Sequence, residues 1–192
     1  MKNFLLTTVM GVTLATAAQA EPVTYMLDAS HSQIVFSYNH LGFSTTTGMF
    51  SGFEGRIELD AEDPAASSVE VSFPAQSLIT GWPAREGHFL TEDFFGADAN
   101  PLVTFTSTAI EVTSDNTGMV TGDLTMNGIT KSVVLDATMN QLANHPMANR
   151  PWAGFDATTT LLRSDFDMGK FAPFVGDEIA INISIEAMVP AD

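Results

Sequence analysis

Reactive side chains are scarce in this chain of 192 residues: it has four histidines, seven basic residues and no cysteine. His31, His40, His88 and His145 are the only imidazoles, and no two of them form a His-x-His or His-Glu-x-x-His pair. Without thiolates to assist, that spacing assembles no metal site, although one gathered from distant residues stays open. Hydrolytic chemistry lacks a Gly-x-Ser-x-Gly elbow. His88 near Asp93 is an acid–base pair by proximity alone. The missing cysteines also exclude disulfides, thiolate centres and thiol catalysis.

Groups that could hold the polar end of a ligand are equally few. An arginine fork meets a phosphate or carboxylate with two parallel hydrogen bonds, so Arg85 and Arg163, with Lys170, are the candidates for a charged head. Ser77, His88 and Tyr38 could donate to a neutral one. Arg85 stands beside Glu86 and near Glu92 and Asp93, and Arg163 stands near Asp165 and Asp167. Internal pairing is therefore the favoured reading of both arginines, and a neutral head such as a quinone ring suits so acidic a chain better.

The elements that must position these groups read as strands. Ile179, Ile181, Ile183 and Ile185 alternate with Asn182, Ser184 and Glu186, the two-residue period of a strand with one buried and one wet face. Similar alternation runs over Gln33–Asn39, over Met49–Asp60 with Phe53, Ile57 and Leu59 on one face and Phe50 on the other, and over Val69–Phe73. It returns at Leu102–Val112, Met119–Asn127, Lys131–Asn140, Ala153–Leu162 and Glu178–Met188. Asn127-Gly128 is a strong two-residue hairpin signal. About eight main strands are predicted, the number at which a closed antiparallel barrel encloses side chains or one small ligand. The mixed spacing of Trp82, Phe89, Leu90, Phe94 and Phe95 predicts a short helical segment near residues 82–95, read as a lid or plug for one barrel end.

The first 20 residues read as an address. Lys2 precedes an apolar stretch that runs to about Ala18, and Ala18-Gln19-Ala20 has the small-x-small pattern of a cleavage site, so a mature chain from Glu21 is expected. Residues 21–192 then form one domain. Losing Lys2 moves the net charge from −16 to −17, which repels phosphate backbones and anionic surfaces and excludes nucleic acid as a partner.

Several motifs then resemble a known family. Leu27-Asp28-Ala29-Ser30-His31-Ser32, His40-Leu41-Gly42-Phe43 and Gly48-Met49-Phe50 look like the opening of the YceI-like family of exported isoprenoid-binding proteins. Ser77, Thr80-Gly81, Arg85 with His88, Asp93-Phe94-Phe95 and Pro101 with Thr104-Phe105 look like its middle section. Gly122-Asp123-Leu124-Thr125, Gly128-Ile129-Thr130 and Arg163-Ser164-Asp165-Phe166 look like its later motifs. Glu86, Gly96 and Asp167 depart from the family's usual residues, all toward the head-group end. The resemblance implies an all-β, extended lipocalin-like barrel in the periplasm, whose apolar tunnel takes up a polyisoprenoid or isoprenoid quinone. It implies no cofactor beyond that ligand, and related exported barrels allow a homodimer. The leader's apolar stretch is too short to span a bilayer and no cysteine is there to be acylated, so no stable membrane insertion is expected.

Apolar surface gains about 25 cal/mol for each Å² withdrawn from water, so aromatic and branched walls can hold such a tail without a strong polar contact. The expected wall is Phe36, Tyr38, Phe43, Phe50, Phe105, Met126, Phe155, Leu161, Phe166 and Phe174. The expected head-group end is Ser77, Arg85, His88, Arg163 and Lys170. Two alternatives stay open: a stress-related interaction module whose barrel is filled by its own side chains, and an enzyme in which His88 acts on a bound lipid.

Overall fold

The computed structural model describes residues 21–191, so the expected leader lies outside the described residues. Ten strands form one antiparallel sheet: β1 (Val23–Leu27), β2 (Gln33–His40), β3 (Ser44–Phe50), β4 (Glu54–Leu59), β5 (Ser68–Pro74), β6 (Leu102–Val112), β7 (Thr117–Met126), β8 (Ile129–Asn144), β9 (Pro151–Leu162) and β10 (Glu178–Met188). The single described α-helix, α1 (Pro83–Phe89), follows β5. Among the described residues, no helix is long and apolar enough to cross a membrane.

Eight strands close a ring in the order β1, β4, β5, β6, β7, β8, β9, β10 and back to β1. Closure removes the unpaired edges that an open sheet would present. The remaining two, β2 and β3, continue the wall: β10 pairs with β2 from Ala180 to Ser184 and with β1 at Ala187 and Met188. The expected all-β barrel is therefore present, with two more strands than the sequence pattern predicts. One is β1, whose alternation is too short to stand out. The other comes from the expected strand at Met49–Asp60, which is two strands.

That correction has a local cause. Between β3 and β4 the chain turns through Ser51-Gly52-Phe53, with Gly52 at φ +71°, a conformation that favours glycine. The break resets the alternation, so Phe50 and Phe53 both face inward instead of lying on opposite faces. Their rings lie 5.1 and 5.0 Å from that of Phe73 on β5, building an aromatic block in one part of the barrel. Such packing adds about 0.5–1.5 kcal/mol per pair to the gain from burial.

Turn chemistry sets the register elsewhere. Asn127 and Gly128 have φ of +50° and +72° and join Met126 directly opposite Ile129, as the Asn-Gly signal predicts. The long connection from β5 to β6 carries α1, and the connection from β9 to β10 carries a four-residue 3-10 turn, Arg163–Phe166. Both connections lie at the same end as the β2–β3 and β7–β8 hairpins, because the antiparallel pairings make β2, β5, β7 and β9 run in the same direction.

Candidate functional site

The inward residues leave the barrel unfilled. A cavity of about 830 Å³ runs from α1 at one end to the Ser114–Thr117 turn at the other. It falls within the range of roughly 300–1,000 Å³ typical of small-ligand sites. The walls are overwhelmingly apolar. Ile179, Ile181, Ile183 and Ile185 of β10 all face it, opposite Val69 and Val71 of β5, with Val120 and Leu124 of β7 and Leu135 of β8 between them. A barrel filled solid by its own side chains is thereby corrected.

Of the expected wall residues, Phe36, Tyr38, Phe50, Phe105, Met126, Phe155 and Leu161 line this cavity. Three others lie elsewhere. Phe43, at the tip of the β2–β3 hairpin, is 90 % exposed and Phe174 is 75 % exposed, so neither is on the wall. Phe166 is buried in a separate cluster with Phe94 and Met168. Pattern reading favours aromatics, so it missed the isoleucines of β10 as lining although it had placed them inward, and it missed Phe89, Phe94 and Phe95 of the helical segment. The period of β10 was the signal for the first group. The second had none, since a lid's inward face has no two-residue period.

The end carrying α1 collects the polar residues expected there. Arg85 and His88 of α1 line the cavity, together with Tyr38 and His40. Arg85 forms no ion pair among the described residues. His88 Nε2 lies 3.0 Å from Asp93 Oδ2, which also contacts Lys170 Nζ. The hydrogen bonds from Lys170 and His88 hold the Asp93 carboxyl below its ordinary range. Lys170 is thus paired with Asp93 and stands outside the cavity wall, beside the ring of Phe171.

Arg163 also lines the cavity, but its guanidinium is engaged by backbone, and Ser77 lies off the wall. Arg163 is 6 % exposed, and its guanidinium donates to four backbone carbonyls, those of Met168, Lys170, Val175 and Gly176, the last three at 2.8 Å. Internal pairing with Asp165 or Asp167 is therefore replaced by a clamp on residues 168–176. Burial lowers the pKa of Arg163, opposed by the nearby Asp177 carboxylate. Ser77 Oγ donates to Pro74 O at 2.7 Å and accepts from Ser51 N at 3.2 Å, tying the end of β5 to the β3–β4 turn.

One group of would-be metal donors does come together from distant positions: atoms of Asp28, His31 and Glu186 lie within 4.8 Å of one another. Each already has a partner. Asp28 Oδ1 caps the 3-10 turn Ala29–His31 through Ser30 N at 2.9 Å, Oδ2 meets His31 Nδ1 at 2.7 Å, and Glu186 Oε2 accepts from Trp152 Nε1 at 2.7 Å. Hydrogen bonding accounts for the cluster.

Comparison with known proteins agrees with this architecture. The profile of the YceI-like domain matches residues 25–187. A UPF0312 protein of Ectopseudomonas mendocina is 35 % identical over 190 residues, covering 98 % of both chains. Among solved structures, Burkholderia cenocepacia BcnA superposes with a TM-score of 0.75 at 25 % identity, covering 83 % of this chain and 98 % of that one. A Campylobacter jejuni YCEI protein gives 0.72 at 29 % identity over 80 % and 90 % of the two chains. A polyisoprenoid binding domain from Saccharophagus degradans shares the fold, with a TM-score of 0.66 at 14 % identity over 86 % and 98 %.

Proposed function

The chain belongs to the YceI-like domain family, and from that premise we propose that it binds the apolar tail of a polyisoprenoid-type lipid, a polyprenyl chain or an isoprenoid quinone, and carries or stores it in the periplasm after removal of residues 1–20. The observation that carries this reading is the unfilled apolar cavity running the length of the barrel. Each ~100 Å² of tail withdrawn from water is worth about 2.5 kcal/mol before the costs of ordering. The like-folded Saccharophagus degradans domain, described as polyisoprenoid-binding, supports the ligand class.

The tail lies along β10 and the facing strands, and the head lies at the α1 end, where Arg85, His88 and Tyr38 supply donors. The state of the reactive groups supports binding without chemistry. Arg163 is spent on backbone carbonyls, and His88 is held by the Asp93 carboxylate.

Solvent extraction of natively purified protein, followed by mass spectrometry, is expected to release an apolar isoprenoid in near-stoichiometric amount. An empty extract, with no uptake of added polyprenol or quinone, rejects the reading. Fractionation with N-terminal sequencing tests export: a periplasmic chain beginning at Glu21 is expected. A carrier also keeps its ligand unchanged, so turnover abolished by His88→Ala would transfer the protein to the enzymes.

A further inference from the structure

Large apolar side chains are exposed around one mouth of the cavity. Leu41 and Phe43 sit on the β2–β3 hairpin, Phe171 and Phe174 on the loop that Arg163 clamps, and Trp82 at the start of α1; Trp82 is 61 % and Phe171 52 % exposed. Leu41 N donates to Phe174 O at 3.1 Å, and the His88 and Phe171 rings lie 6.3 Å apart, so hairpin, loop and helix form one rim. Trp82 and Phe171 also line the cavity, which makes the rim continuous with its apolar wall. Exposed patches of this kind mark surfaces that meet a partner.

Charge says which partner. The hairpin and loop segments of this rim, residues 29–53 and 168–176, contain none of the chain's 23 Asp and Glu residues, whereas α1 contributes Glu86. The basic residues of the rim are Arg85 and Lys170, the latter paired with Asp93, with His40 and His88 beside them. Glu86 of α1 is engaged by the backbone N–H groups of Thr80 and Gly81, and Asp93 by His88 and Lys170, which leaves Arg85 as a rim cation with no ion pair among the described residues. Aromatic side chains that are wet at one end and apolar at the other, flanked by basic groups, match the layer where lipid phosphates meet acyl chains. The net charge of −16, or −17 from Glu21 onward, favours a zwitterionic surface over a strongly anionic one.

We infer that this rim is a docking surface for a phospholipid bilayer, through which an apolar tail passes between the membrane and the cavity without crossing water. The inference rests on the lipid-binding reading above and adds the route by which the ligand enters. Protruding loop tips suit insertion between lipid headgroups, where a flat strand face would suit a second copy of the chain.

The test uses the protein from Glu21 onward and the double variant Phe43→Ser with Phe174→Ser, since neither side chain lines the cavity. A fluorescent polyprenol analogue is supplied either from a dilute ethanol stock or within phosphatidylcholine vesicles. The variant is expected to take up the probe from ethanol as the unsubstituted chain does. Its uptake from vesicles should slow at least tenfold, with loss of co-sedimentation with the vesicles. Equal uptake and equal co-sedimentation overturn the inference. So does conversion of a dimer to a monomer in sedimentation velocity with vesicle binding intact, since the rim would then join two copies. Failure of both proteins to take up the probe from ethanol defeats the lipid-binding reading instead, while co-sedimentation with probe-free vesicles still decides the surface. Should the first pair misfold, Leu41→Ser with Phe43→Ser, confined to one hairpin tip, gives the same readout.

Discussion

The ring of Phe36 on β2 lies across Gly48, its register partner on β3, so closely that a Cβ on that glycine would overlap the ring. An aromatic laid over a cross-strand glycine covers exposed backbone and fixes the ring's direction. Here it aims Phe36 along the cavity wall. Gly48→Ala should force Phe36 off its rotamer at a cost of about 1–3 kcal/mol. Urea unfolding should show a lower midpoint, and tail uptake should weaken because the displaced ring enters the cavity. An unchanged midpoint would mean that the ring is free to swing aside.

Arg163 distinguishes a clamp from a head-group ligand. Arg163→Met leaves four backbone carbonyls without their donor, and each buried acceptor stripped of its partner costs about 1–3 kcal/mol. A loss of at least about 3 kcal/mol is expected, with hydrogen exchange accelerated across residues 168–176. Arg163→Lys should rescue little, because an ammonium has no fork to span these acceptors. A variant of native stability with weakened ligand binding would reverse the assignment.

Leu161 of β9 and Phe105 of β6 both line the cavity. Leu161→Asp or Phe105→Asp puts a carboxyl in an apolar wall, which costs several kcal/mol unless it takes up a proton. Isoprenoid uptake should be abolished in both. Near-UV circular dichroism read alongside separates lost binding from lost folding, and a folded Leu161→Asp protein that still binds the tail would refute the proposed path along β9 and β10.

The Asp28–His31 pair makes stability depend on pH. Hydrogen bonding and charge attraction from Asp28 raise the pKa of His31, aided by Glu186. Burial pushes the Asp28 pKa up, yet the hydrogen bonds from His31 and Ser30 outweigh it and the net shift is down. The histidine contribution is therefore complete below the free value of about 6.5 and is lost as pH rises through the raised folded value. The aspartate contribution is complete above about 3.9 and is lost as pH falls through the lowered folded value. Thermal melts should show the pair's greatest support between those limits. His31→Gln should flatten the decline on the alkaline side, and an unaltered pH profile would remove the pair from the balance.

Much of the barrel was legible because a strand with one apolar face carries its own ruler. Ile179 to Ile185 place their side chains inward as their spacing demands, and Asn127-Gly128 makes its hairpin where the dipeptide stands. What the ruler cannot register is where it restarts. Gly52 resets the alternation, so Phe50 was assigned to the wrong face although it was expected on the wall. Loop aromatics have no period at all, which is why Phe43 and Phe174 were grouped with the wall when they project into solvent. The partners of Arg163 are illegible for another reason: they are main-chain carbonyls of a loop, and only folding determines where those point.

The partner change along β10 has a mechanical consequence. The ring is stitched shut by two rungs, Met26 with Met188 and Leu27 with Ala187, and one further bond from Asp28 N to Glu186 O at 2.8 Å, whereas β10 shares eleven rungs with β9. A guest bulkier than the resting bore meets least resistance at that short seam. Were it to part, the seven other strand pairings of the ring would stay in register, which makes this short seam the natural expansion joint of the container.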